Sequence, residues 1–73
     1  MKTTQWVPPL TDRERDVVLL VWQGLSSREI SAQLAISLKT VEAHRANIMK
    51  KWRVRGVVEM MKAGMALGIL RKQ

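Results

Sequence analysis

Two copies of one helix-start signal, Thr11-Asp12-Arg13-Glu14 and Ser26-Ser27-Arg28-Glu29, divide the first half of this sequence into helices too short to stand alone. In each, the hydroxyl side chain is placed to accept from the backbone N–H three residues on, and the glutamate to reach back to the cap. Asp12, Glu14 and Asp16 suit the positive end of the first helix dipole. Val17, Leu20 and Val21 fall on one face, Val18 and Trp22 widen it, and Gly24 offers a left-handed stop. A first helix is therefore expected over about 12–23. Leu25 and Ile30 bracket the second start as a hydrophobic staple, and Ile36 and Val41 do the same around a third cap, Ser37. The apolar pattern of Ile30 and Leu34 breaks at Ala35-Ile36-Ser37. Two short segments around a three-residue turn describe a helix-turn-helix, with the small Ser31 where its helices approach closely and Val41 where the second meets the first.

The third helix is expected over about 38–52, where Ile48 and Trp52 each lie within about 20° of Val41 and form a core stripe with it. Its other side carries Lys39, Ala43, Ala46 and Lys50, edged by Glu42 and Asn47. Small residues let a helix sink into a major groove, and lysines at its ends meet phosphates. Arg53-Val54-Arg55-Gly56 reads as a turn into a fourth helix over about 57–66. The apolar residues of that helix, Val57, Val58, Met60, Met61 and Met65, span about 160°, wider than the roughly 100° one core needs. A second buried surface is one explanation.

Charge divides the chain in two. Up to residue 37, Lys2, Arg13, Arg15 and Arg28 balance Asp12, Glu14, Asp16 and Glu29; the entire net charge of +7 comes from residues 38–73. A balanced half followed by a basic half is the footprint of a polyanion binder, either nucleic acid or an anionic membrane surface. Three capped starts argue against one long amphipathic helix lying on a membrane. The chain has 73 residues, no Cys and one His, which fits a single all-α domain, a compact four-helix bundle, with no conventional zinc site. The longest apolar run, Val17 to Trp22, is far short of a membrane span, and no secretory leader is seen. No nucleophile–base pair or carboxylate pair suggests an enzyme. No cofactor, metal or small-molecule ligand is expected, and the expected location is the cytoplasm. Residues 1–9, with Pro8-Pro9 and Trp6, read as a tail or linker stub, with Trp6 docked on the domain; 10–70 are the domain and 71–73 a C-terminal tail.

In order, Leu10-Thr11-x-Arg13-Glu14-Arg15, Gly24-Leu25-Ser26-x-x-Glu29-Ile30, Leu34-x-Ile36-Ser37-x-x-Thr40-Val41-x-x-His44 and Ile48-x-x-Lys51 resemble the LuxR/GerE/NarL-type DNA-binding domain. Residues 40–49 look most like the FixJ branch of response-regulator effector domains. The resemblance implies a four-helix transcription regulator that binds double-stranded DNA as a homodimer, with its third helix in the major groove. By position, Glu42, Ala43 and Ala46 would face bases and Thr40 a phosphate. The fourth helix would supply the dimer contact, which places Val57, Met60, Met61 and Gly64 there. Trp52 stands where Leu or Met is usual, Gly56 where a Ser or Asn cap is common, and Val57 where Arg is frequent. The resemblance fits both a free-standing regulator and a domain preceded, at Pro8-Pro9, by a receiver or ligand-sensing domain.

Lys39, Lys50 and Lys51 are the expected phosphate contacts, with Arg45 snorkelling to the backbone from one flank. Glu42 either accepts from a cytosine amino group or pairs within the helix with Arg45 or Lys39. Asn47 either pairs with adenine or faces a phosphate or water. His44, about 60° from the core stripe, is expected in a structural or phosphate contact rather than in catalysis. Two readings besides sequence-specific binding stay open: a nonspecific nucleic-acid binder, and a module that contacts RNA polymerase.

Overall fold

The computed structural model describes residues 8–70, so the N-terminal stretch with Trp6 and the tail from residue 71 lie outside the described residues. Four helices follow in order: α1 Asp12–Trp22, α2 Ser27–Leu34, α3 Leu38–Trp52 and α4 Val57–Ala66, with no strand among the described residues. Both capping boxes form. Glu14 N–H donates to Thr11 Oγ1 at 3.1 Å while Thr11 N–H donates to Glu14 Oε1 at 3.0 Å. The Ser26 and Glu29 pair repeats this at 3.1 and 2.8 Å. Ser37 caps α3 alone, accepting from Thr40 N–H at 3.0 Å.

The helix stops differ in chemistry. Gly24 ends α1 at φ 97°, a conformation only glycine takes freely. Ala35 does the equivalent for α2 at φ 57°, ψ 42°, and Arg53 for α3 at φ 58°, ψ 45°, both left-handed and both carrying a Cβ. Gly56 starts α4 without a side-chain cap; Glu59 instead reaches back to the Arg55 N–H at 3.0 Å.

Each segment is too short to hold its helix alone, so the shared core fixes them. Val17, Val18, Ile30, Val41, Ile48 and Met60 are fully buried, and Trp52 and Leu70 nearly so. α3 is the helix that packs on all three others, α1, α2 and α4. Leu25 and Ile36, the outer halves of the two staples, are half-buried against this cluster. Beyond α4 the chain doubles back: Ile69 and Leu70 N–H both donate to Gly64 C=O, at 2.9 and 3.1 Å. Leu70 thereby closes over Gly64, beside the Trp52 ring.

Candidate nucleic-acid interface

The core stripe of α3 lies where the sequence pattern puts it, with Val41, Ile48 and Trp52 buried. The rotation this imposes turns Lys39, Thr40, Glu42, Ala43, Ala46, Asn47 and Lys50 outward, and all seven are exposed. One helix face thus carries two cations near its ends, two alanines between them and three other hydrogen-bonding side chains, Thr40, Glu42 and Asn47. Arg45 is half-buried on the flank. No ion pair to Glu42 forms among the described residues, so the intrahelical pair with Arg45 or Lys39 is not made and the carboxylate stands in solvent.

The start of α3 is also distinct. α1 and α2 each have a glutamate closing the cap, whereas α3 has Thr40 in that place and no acidic residue in its first turn. Thr40 Oγ1 lies 2.8 Å from Ser37 Oγ. Since Ser37 Oγ accepts from the Thr40 N–H, its own O–H can donate to Thr40 Oγ1, which leaves the threonine hydroxyl free to donate outward. That leaves an uncompensated positive helix end with a hydroxyl donor beside Lys39.

Lys51 is placed differently from its expected role. Its Nζ lies 2.6 Å from Glu14 Oε1 and 3.1 Å from the Pro9 carbonyl oxygen, so the ammonium ties α3 to the start of α1. Glu14 is 4% exposed. Burial pushes its carboxyl up, but the Lys51 hydrogen bond, the Thr11 N–H and the nearby charges of Lys51 and His44 outweigh it and hold the group below its ordinary value. Sequence reasoning gave Glu14 its capping and helix-dipole roles but not this ion pair. A signal was present, since Glu14, Val17, Val18 and Val21 follow the spacing of a buried helix face. Its partner, 37 residues away, has no local signature.

Two expected dimer contacts are likewise spent inside the chain. Met60 is fully buried in the core, and Gly64 is covered by Leu70 of the returning C-terminal segment. The large apolar residues that α4 leaves exposed are Val57, Val58 and Met65, with Met61 half-buried beside them. Among the described residues no helix is long and apolar enough to cross a membrane, and no cluster of metal-ligating side chains occurs.

The fold is found in known proteins. The model of the GerE family, "bacterial regulatory proteins, luxR family", matches residues 8–63. The chain belongs to the luxR family of bacterial regulatory proteins. Over 52 residues it is 50% identical to the transcriptional regulatory protein UhpA of Escherichia coli K12, covering 71% of this chain and 26% of UhpA. It is 39% identical over 59 residues to the transcriptional regulatory protein FixJ of Rhizobium meliloti, covering 81% of this chain and 29% of FixJ. With the spore germination protein GerE of Bacillus subtilis it shares 43% identity over 67 residues, 86% of this chain and 90% of that one. The solved structure of the transcription factor GerE superposes with a TM-score of 0.80 at 39% identity, covering 85% of this chain and 92% of GerE. The chain therefore spans under a third of UhpA and FixJ and nearly all of GerE. As a luxR-family helix-turn-helix domain it is a DNA-binding unit of transcription regulators, not an enzyme.

Proposed function

We propose that this domain reads sequence in double-stranded DNA by laying the exposed face of α3 in the major groove, and that it does so as a homodimer. The observation that carries the reading is the division of α3 into a buried Val41, Ile48 and Trp52 stripe and an exposed face of Lys39, Ala43, Ala46 and Lys50. The alanines give the close approach a groove demands, and the lysines and Thr40 meet the phosphates on its rims. The solvent-facing Glu42 carboxylate is free to accept from a cytosine amino group, and Asn47 to pair with adenine. Glu42 then serves selectivity at some cost in affinity, because a carboxylate repels the backbone.

The exposed Val57, Val58 and Met65, with Met61, offer a second copy a compact apolar strip, and a twofold pair would reach half-sites about one helical turn apart. The working setting is a cytoplasmic bacterial transcription regulator, with RNA polymerase as a further partner of the assembled regulator. Fluorescence anisotropy tests the reading, using a duplex selected from a random pool and a scrambled control at two salt concentrations. The selected duplex should bind at least about 1,000-fold more tightly, the lower end for specific sites. Equal binding would reduce the domain to a nonspecific binder. No duplex binding at low salt would leave only the polymerase-contact reading.

A further inference from the structure

At the C-terminal end of α3 an open concavity of about 320 Å³ is lined by Pro8, Lys50, Lys51 and Arg53. We propose that it is a binding site for one backbone phosphate of the duplex, with Arg53 as its principal ligand; this rests on the DNA-binding reading above.

Three observations carry the proposal. The first is local charge. The Lys51 ammonium already donates to Glu14 and to the Pro9 carbonyl, which leaves one of its three N–H groups, and Glu14 is the carboxylate it neutralises. Lys50 and Arg53 are exposed, and neither has a carboxylate partner among the described residues. The concavity therefore holds two uncompensated cations beside a fixed ammonium, a site that favours an anion.

The second is the backbone of Arg53. At φ 58° and ψ 45° it occupies the left-handed helix-stop position that sterics give to glycine. Val54 N–H closes the turn onto the Met49 carbonyl at 3.0 Å, so the point where the Arg53 side chain leaves the helix end is fixed. An arginine held in a conformation it disfavours is a reason to look for its use. A guanidinium offers five donors in a planar fork suited to phosphate.

The third is length. Lys39 and Arg53 are separated along α3 by about 21 Å at 1.5 Å per residue, whereas the major groove is about 12 Å wide. A helix seated at its middle overhangs both rims. Lys39 and Thr40 then meet one strand's backbone, and Arg53 the other's.

The test measures duplex binding by the whole chain as wild type, Arg53→Gly and Arg53→Lys, at about 50 and 200 mM salt. Glycine takes the left-handed turn freely, so Arg53→Gly should melt no lower than wild type. It should bind selected and scrambled duplexes more weakly alike, with a log affinity against log salt slope shallower by about 0.9 per bound chain. The wild-type advantage should accordingly shrink about 3.5-fold between the two salts. Arg53→Lys should keep most of the binding. A neutral methylphosphonate placed along each strand should reveal one position that weakens wild type and leaves Arg53→Gly unaffected. Unchanged affinity and slope in Arg53→Gly would overturn this site while leaving the α3 reading intact. Failure of wild type to bind any duplex would overturn both.

Discussion

The Lys51 ammonium lies 2.6 Å from the Glu14 carboxylate, joining the last turn of the DNA-facing helix to the first turn of α1. The same oxygen, Glu14 Oε1, also accepts from the Thr11 N–H, so one atom closes the α1 cap and anchors α3. Glu14→Gln keeps the cap, because glutamine also completes a capping box, but removes the charge. At neutral pH this should cost about 1–3 kcal/mol, with the ammonium left facing a neutral amide in a nearly dry site. The carboxyl is held below its ordinary value in the folded chain. Its stabilisation is therefore complete above the unfolded carboxylate range, about 4.3, and is lost as pH falls through the lower folded value. Thermal melts from neutral to acid pH should show the two proteins converging as the medium becomes acid. Parallel curves would contradict the assignment.

Gly64 gives a prediction whose sign reverses with its background. A Cβ there would sit 2.5 Å from Leu70 Cδ1 and 2.7 Å from its Cγ. Gly64→Ala should therefore destabilise by about 1 kcal/mol, the overpacking outweighing a helix-propensity gain of similar size. Leu70→Ala empties the space and is costly alone, by about 2–5 kcal/mol. Adding Gly64→Ala to Leu70→Ala should then stabilise rather than destabilise. Chemical denaturation of the four proteins checks this, and additive losses would refute the packing described.

Ala35 holds a left-handed turn with a Cβ. Ala35→Gly should relieve it and stabilise by about 0.5–1 kcal/mol even after the greater entropy of the unfolded glycine is counted. For a domain of this size that is a rise of about 4–8 °C in Tm per kcal/mol. A lower Tm would show that the alanine methyl has a packing role.

Val58 is 68% exposed, the most open large apolar side chain among the described residues. Val58→Glu should leave the melt within about 0.5 kcal/mol of wild type. It should lower affinity for a duplex with two half-sites while leaving a single half-site unaffected. Equal effects on both duplexes would remove α4 as the dimer surface.

The first three helices were legible because each begins with a side chain that must satisfy the same orphan amides: Thr11, Ser26 and Ser37 all cap as their spacing implies. The outward face of α3 was legible for a related reason, since Val41, Ile48 and Trp52 fix its rotation. On α4 the apolar residues occupy so wide an arc that periodicity could not separate the core side from the free side. Gly64 is covered because Leu70 returns over it after the Gly68 turn at φ 79°, a contact made outside α4's own periodicity, while Met60 lies in the shared core. The Lys51–Glu14 pair was hidden for the same kind of reason, as a lysine beside other cations reads as surface until a distant carboxylate is seen beneath it.

The central claim, that the exposed side of α3 enters the groove, is tested most directly at Ala46. This residue is exposed in the middle of that face, so Ala46→Glu should fold and melt as wild type does. The added carboxylate would meet base edges and phosphates at the point of closest approach, and affinity for the selected duplex should fall about 10–100-fold or more. A variant with an unchanged melt and wild-type affinity would show that DNA meets another surface.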